Sequence, residues 1–238
     1  MSYSPELSPG YGVSAAESPA LERAAFIRRV YGHLAGSILA FAGLTALLLA
    51  VVPPELILGM FSNWVGMIVI FGIFMVATWT AQSWAHSEVS IGTQYLGLGL
   101  CIAAYSVFFL PLLYIAKQFY PGAIETAAIM TFAVFAGLTV AVFTTRRDYS
   151  YLAPVLSIGS MLALGFMIAA LFFDMGNTMY LVFSFFMVAL MCAYIIYETS
   201  VIMHHYRTDQ HVGASLMLFT SVATLFIWIL RIVMASRD

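Results

Sequence analysis

Charge is what this sequence has least of. Only 8% of its 238 residues are Asp, Glu, Lys or Arg, nine basic and eleven acidic, where an ordinary soluble domain carries about 25%. So few charges cannot cover a globule of this size with a solvated surface, which excludes a soluble enzyme and a disordered chain alike. The net charge of −2 and the pI near 6.2 offer no basic footprint, so nucleic acid is not a partner. Cysteine is scarce too: Cys101 and Cys192 each sit alone in an apolar run. They match neither a disulfide framework nor a thiolate metal site, and act as small hydrophobes. What the chain does have is apolar surface, with 63% hydrophobic residues and a mean hydropathy of +0.97. It reads as a polytopic membrane protein whose partner is the lipid bilayer.

Residues 1–20 break this pattern with Ser-Pro-Glu, Ser-Pro-Gly-Tyr-Gly and Glu-Ser-Pro-Ala, and are expected to form a disordered tail. Residues 21–238 form the membrane domain. Leu21–Val30 turns amphipathic and helical, with Arg23, Arg28 and Arg29 as its polar component. The apolar run that follows is too long for the core of a secretory signal and ends in Val-Val-Pro-Pro rather than at a cleavage site. A spanning helix needs roughly 20 apolar residues, and seven such runs are present, at about 31–52, 63–82, 93–116, 123–143, 152–173, 179–203 and 213–233. A barrel would instead show ~10-residue segments of alternating polarity. The fold class is therefore an all-α seven-helix membrane bundle with short loops.

Lys and Arg in the loops set the expected orientation. One side holds Arg23, Arg28, Arg29, Arg146, Arg147 and Arg207, and the other only Lys117, Arg231 and Arg237. This bias predicts a cytoplasmic N-terminus. Gly32-His33-Leu34-Ala35-Gly36 is a GxxxG that predicts close approach of another helix, and Pro111 predicts a kink late in the third span.

Three formal charges fall inside the spans. Glu125 stands in the first turn after Pro121-Gly122, where the helix dipole and headgroup water suit it, and Arg231 is near enough to a helix end to snorkel. Glu198 is different. Five residues before Met203, it lies about 7 Å inside the expected span end. A carboxylate there is costly unless it faces a cavity, finds a partner or takes a proton, which makes it a candidate proton-responsive group. The last span enters from the same side and places Ser221 about 12 Å deep. Ser221, Thr224 and Trp228 share one helix face there, so Ser221 and Thr224 are the candidate partners.

The clustered candidates for a metal or for catalysis are His204, His205, Asp209 and His211, in the sixth loop. Adjacent histidines on a helix diverge by about 100°, and the spacing matches no zinc pattern. No metal, no other cofactor and no enzymatic activity are expected, and these residues read as a solvated, pH-responsive loop.

Three segments are recognisable. Phe-Thr-Thr-Arg-Arg-Asp-Tyr-Ser at 143–150, Ile-Ile-Tyr-Glu-Thr-Ser at 195–200 and Leu-Phe-Ile-Trp-Ile-Leu-Arg-Ile at 225–232 resemble, in this order, motifs of the transmembrane BAX-inhibitor-motif family. The resemblance covers about residues 23–238 and implies a seven-helix bundle around a central last helix, acting as a pH-sensitive leak or channel with calcium as the permeant cation. It points to Arg146, Arg147, Asp148, Tyr197 and Arg231 as motif residues with structural roles. It also implies a proton-sharing acidic pair on the sixth and last helices. Glu198 matches the first member, but the second position, ten residues before Arg231, is Ser221. The third span shows Ala104-Tyr105-Ser106 where the family commonly has Glu-Gly. A second implied role is a non-conducting membrane interaction protein that modulates a protease or a stress or death pathway, with another membrane protein as partner. A bacterial cytoplasmic membrane is the expected location, since no transit or retention motif stands out.

Overall fold

A computed structural model describes residues 14–59, 64–85, 90–173 and 176–237. Among these residues the chain is helical with no strand: α1 (Ala20–Val51), α2 (Pro54–Gly59), α3 (Trp64–Ala85), α4 (Ile91–Phe108), α5 (Leu110–Phe119), α6 (Ala123–Thr145), α7 (Ala153–Phe172), α8 (Gly176–His204) and α9 (His211–Ala235), with one 3₁₀ turn at Ser150–Leu152. Seven of these helices are long and apolar enough to cross a bilayer. Lipid offers backbone groups no hydrogen bonds, so each apolar run must satisfy its own N–H and C=O groups and becomes a helix. Most span hydroxyls obey the same rule, as when Thr131 donates to the Ala127 carbonyl at 2.7 Å and Ser184 to the Tyr180 carbonyl at 2.8 Å.

The breakers end the helices for identifiable reasons. Val52 is extended ahead of Pro53, and Pro54 opens α2, where a missing N–H costs nothing. Gly122 adopts φ 77°, a left-handed conformation that glycine enters without a Cβ penalty, and starts α6. At the other end of α6 Arg146 takes φ 50° and stops it.

Several expectations need correction. The first span does not begin at residue 31: α1 runs unbroken from Ala20, so the amphipathic segment and the span are one 32-residue helix. At 1.5 Å per residue it is about 48 Å long, well beyond a ~30 Å hydrocarbon core, and its arginine-bearing start stands clear of the apolar slab. The third span is not merely kinked. It divides at Phe109 into α4 and α5, because Pro111 cannot donate back to Val107 and instead sits in the first turn of α5. The tail is not loose up to residue 20. Residues 1–13 lie outside the described residues, but Ser14 pairs with Arg207, Ala15 donates its N–H to the Tyr206 carbonyl at 2.8 Å, and Ala15 is fully buried.

The GxxxG expectation is overturned as well. A Cβ on Gly32 or Gly36 would meet nothing within 4 Å. Close helix approach is made instead at Gly97, where a Cβ would lie 2.6 Å from the Ala81 carbonyl, so α3 and α4 touch backbone to backbone.

The last helix is the centre of the bundle. Some 61% of its span is buried, against 33% at most for any other, and it packs on α1, α3, α4, α6 and α8. Large apolar side chains on the outer helices face outward instead: Trp79, Ile73 and Phe132 are 65–75% exposed, a surface suited to lipid tails. The six arginines counted on one side do share one end, where Tyr149 bonds to Ser200 and Ser14 pairs with Arg207. At the far end Arg237 donates to the Pro121 carbonyl and to Thr126.

Candidate functional site

Glu198 lies six residues before the end of α8, and Ser221 ten residues into α9. Helix geometry places them about two to three turns below the arginine-rich end. They meet. The Ser221 hydroxyl donates to Glu198 Oε1 at 2.7 Å, and both residues are buried, at 5% and 4% exposure. The other carboxylate oxygen, Oε2, is buried with no hydrogen-bond partner. One neutral donor for two carboxylate oxygens is poor satisfaction for a buried charge.

Thr224 was the other expected partner, and its hydroxyl goes elsewhere. It donates to the Thr220 carbonyl of its own helix at 2.7 Å, because a helical threonine finds that acceptor without any neighbour. Its place in the site is next to Tyr105, a buried residue of α4. Tyr105 packs edge-on against Phe219, ring centroids 5.6 Å apart. Phe219 in turn packs on Phe41 and lines a cavity of about 410 Å³ between α1, α5, α6 and α9, with Lys117 on its wall.

On the loop side the site is roofed by Tyr206. Its backbone carbonyl holds the Ala15 N–H, and its hydroxyl donates to Met217 Sδ at 3.7 Å. Burial first, then the nearby Glu198 and Tyr197, push its phenol up to about 12. A tyrosine in a polar six-residue loop carries no sequence signal of this role, and neither does the alanine that pins it.

The motif residues of the α6–α7 loop come together on the end of α8. The Tyr149 N–H donates to Ser200 Oγ at 2.8 Å, and that hydroxyl donates to the Arg147 carbonyl at 3.2 Å. Asp148 accepts from the Ser150 N–H at 2.9 Å and pairs with His205 Nε2 at 3.0 Å. The Ser150 hydrogen bond, and then His205, hold the Asp148 carboxyl below its usual range. So Thr-Thr-Arg-Arg-Asp-Tyr-Ser and Tyr-Glu-Thr-Ser, distant in sequence, form one clamp two residues above Glu198. Arg146 shapes the turn through its left-handed backbone. Tyr197 packs against the core beside Glu198. Arg231 is at the opposite end, stacked on Trp228 with 5.1 Å between guanidinium carbon and ring centroid.

The four polar loop residues singled out as a cluster are dispersed. His204 bonds to the Ser200 carbonyl, His205 to Asp148, Asp209 to Arg207, and His211 lies against the His33 ring at 5.0 Å. Among the described residues no group of three or more His, Cys, Asp or Glu side chains gathers as a metal site would require. His86 lies outside the described residues.

With this geometry in place, likeness to known proteins becomes informative. The family described as inhibitor of apoptosis-promoting Bax1 matches residues 23–238, nearly the whole chain. The chain belongs to the Bax1 inhibitor family. Its relatives within that family include an uncharacterised protein of Pseudomonas aeruginosa, 30% identical over 93% of this chain and 94% of its own length. Protein LIFEGUARD 4 of Arabidopsis thaliana is 25% identical, covering 93% and 88%. Bax inhibitor 1 of Schizosaccharomyces pombe is 27% identical, covering 93% and 86%. As a Bax1 inhibitor family member, the chain is an integral membrane protein of the lipid bilayer.

Proposed function

We propose that this Bax1 inhibitor family protein is a pH-sensitive cation leak, with calcium as a permeant ion, gated through Glu198. The observation that carries this reading is the buried Ser221–Glu198 hydrogen bond with Oε2 left unpartnered. A single ionisable group, held between the central helix and α8, biases the packing of those two helices according to its proton. The conducting route would run from the cavity beside Lys117 past Phe219 and Tyr105 to Glu198, and the Tyr105–Phe219 contact closes it in the packed state. Calcium wants six to eight oxygen ligands, which Glu198 and nearby hydroxyls do not supply, so calcium would pass the site rather than be stored in it. The positive-inside bias supports an orientation with the arginine-rich end in the cytoplasm, and the Pseudomonas aeruginosa relative supports a bacterial cytoplasmic membrane.

The test is flux in liposomes. Purified protein in calcium-loaded or potassium-loaded vesicles is expected to leak cations at a rate that changes between pH 5 and 8, and Glu198→Gln to flatten that pH response. Absence of flux for both ions across this range overturns the channel reading and favours a non-conducting interaction protein that modulates a protease or a stress or death pathway; one relative, of Vaccinia virus, is named a Golgi anti-apoptotic protein.

A further inference from the structure

The glycines that do not bring helices together do something else. Gly32 and Gly36 form one i, i+4 row on α1 below Arg28, and His33 and Ser37 form the adjacent row below Arg29. Opposite them on α4 stand Leu98 and Ile102, buried at 7% and 8% exposure. Together these residues line a cleft of about 490 Å³ between α1 and α4. From Arg28 to Ser37 it extends about 13 Å along the helix axis.

The cleft is amphipathic along its length. At the upper end two guanidiniums are exposed, and among the described residues neither is engaged in an ion pair. Next comes His33, fixed by its Nδ1 on the Arg29 carbonyl at 2.7 Å and its Nε2 on the Tyr95 hydroxyl at 2.7 Å. That cross-link ties α1 to α4 while leaving open the space over the glycines. Below it the walls are apolar, Leu98 and Ile102 on one side and bare backbone on the other. Arg28 and Arg29 stand near the end of the stretch of α1 that exceeds the hydrocarbon core, which is headgroup level. Unpaired cations at that level above an apolar slot match one kind of occupant in charge and in polarity.

We infer that this cleft binds an anionic phospholipid, its phosphate on Arg28 and Arg29 and the first part of one acyl chain in the slot beside Gly32 and Gly36. Juxtamembrane arginines attract anionic lipid by roughly 1 kcal/mol each, so two of them give a preference over a zwitterionic lipid of roughly thirtyfold. A free phosphate would use the guanidiniums but leave the slot empty, and the two occupants are therefore separable.

The experiment is lipid retention by the delipidated full chain in neutral detergent, read by native mass spectrometry with phosphatidylglycerol and phosphatidylcholine as probes. The expected result is preferential retention of one phosphatidylglycerol. The double change Arg28→Gln and Arg29→Gln should abolish the preference, with helix content unchanged by circular dichroism. Gly36→Leu fills the slot, has open space for its side chain and leaves both guanidiniums in place; it should weaken phosphatidylglycerol retention severalfold. Inorganic phosphate in excess should not displace the lipid. Equal retention of the two lipids, an unchanged preference in the double arginine variant, undiminished phosphatidylglycerol retention in Gly36→Leu, or displacement by inorganic phosphate would each overturn the assignment. Glu198 and Ser221 are untouched by these variants, so this outcome is independent of the flux test.

Discussion

At the level of single residues, the Glu198–Ser221 pair was legible because cost and depth coincide. A carboxylate in an apolar run must be explained, and the last span, entering from the same side, offers hydroxyls at a matching depth. The same reasoning did not place Thr224, whose hydroxyl had two outlets and took the one in its own helix. Because the Ser221 hydroxyl bonds directly to Glu198, Ser221→Asp sets two carboxyl groups side by side. Such a pair titrates in two coupled steps. The variant is expected to show a second inflection in the pH profile of flux and stronger coupling to calcium; an unchanged profile would dismiss the pairing as a functional unit. Asp148 supplies another residue-level expectation. Its carboxyl is held below the ordinary value of 3.8, so its contribution to the clamp is complete above that value and fades as pH falls through the lower folded one. The group is exposed, so the effect is local rather than global. Hydrogen exchange at residues 146–150, corrected for intrinsic rates, should show protection falling at acid pH in the natural protein. In Asp148→Asn protection should be lower throughout, without that pH dependence.

At the level of elements, apolar run length located the spans, but glycine spacing did not reveal which helices touch. GxxxG is a permissive pattern: it allows close approach without requiring it, and the partner's shape decides. On α1 the neighbour stays away, whereas the unremarked Gly97 takes the backbone contact. Gly97→Leu is accordingly expected to destabilise the protein by about 3 kcal/mol or more, since its Cβ meets backbone atoms that cannot yield. Gly36→Ala, facing open space, should fall within about 0.5 kcal/mol of the natural protein. Thermal unfolding in detergent distinguishes the two; equal effects would refute the backbone contact between α3 and α4. The α4–α5 division has an equally local origin, since proline removes one donor, but whether a helix bends or breaks depends on what surrounds it. Here Leu110 is 3% exposed, Pro111 is buried and the second segment starts afresh.

For the whole molecule, the organising fact is that polarity no longer separates inside from outside. Every span is apolar, and lipid tails solvate leucine as well as another helix does, so the bundle is held by packing and by the few polar contacts between helices. Position relative to α9 then sets the value of a side chain. Phe219 is fully buried on the central helix and Phe132 is 73% exposed on α6. Phe219→Ala is expected to cost about 3 kcal/mol or more through the cavity it leaves, and Phe132→Ala close to nothing. Reversible unfolding in mixed micelles measures both, and similar costs would contradict a central α9.

The sequence by itself determined the seven spans, the lipid environment, the arginine-rich end and a carboxylate that must be buried, because each follows from hydropathy and charge along a line. Only the tertiary structure decided that Ser200 clamps the Arg146–Tyr149 loop, that Ser14–Ala15 pins Tyr206 over the site, and that the glycines of α1 open a cleft instead of closing a contact. Those outcomes depend on how each helix is rotated and which neighbour it meets. When every face of a helix is apolar, periodicity carries no record of rotation, and packing alone fixes it.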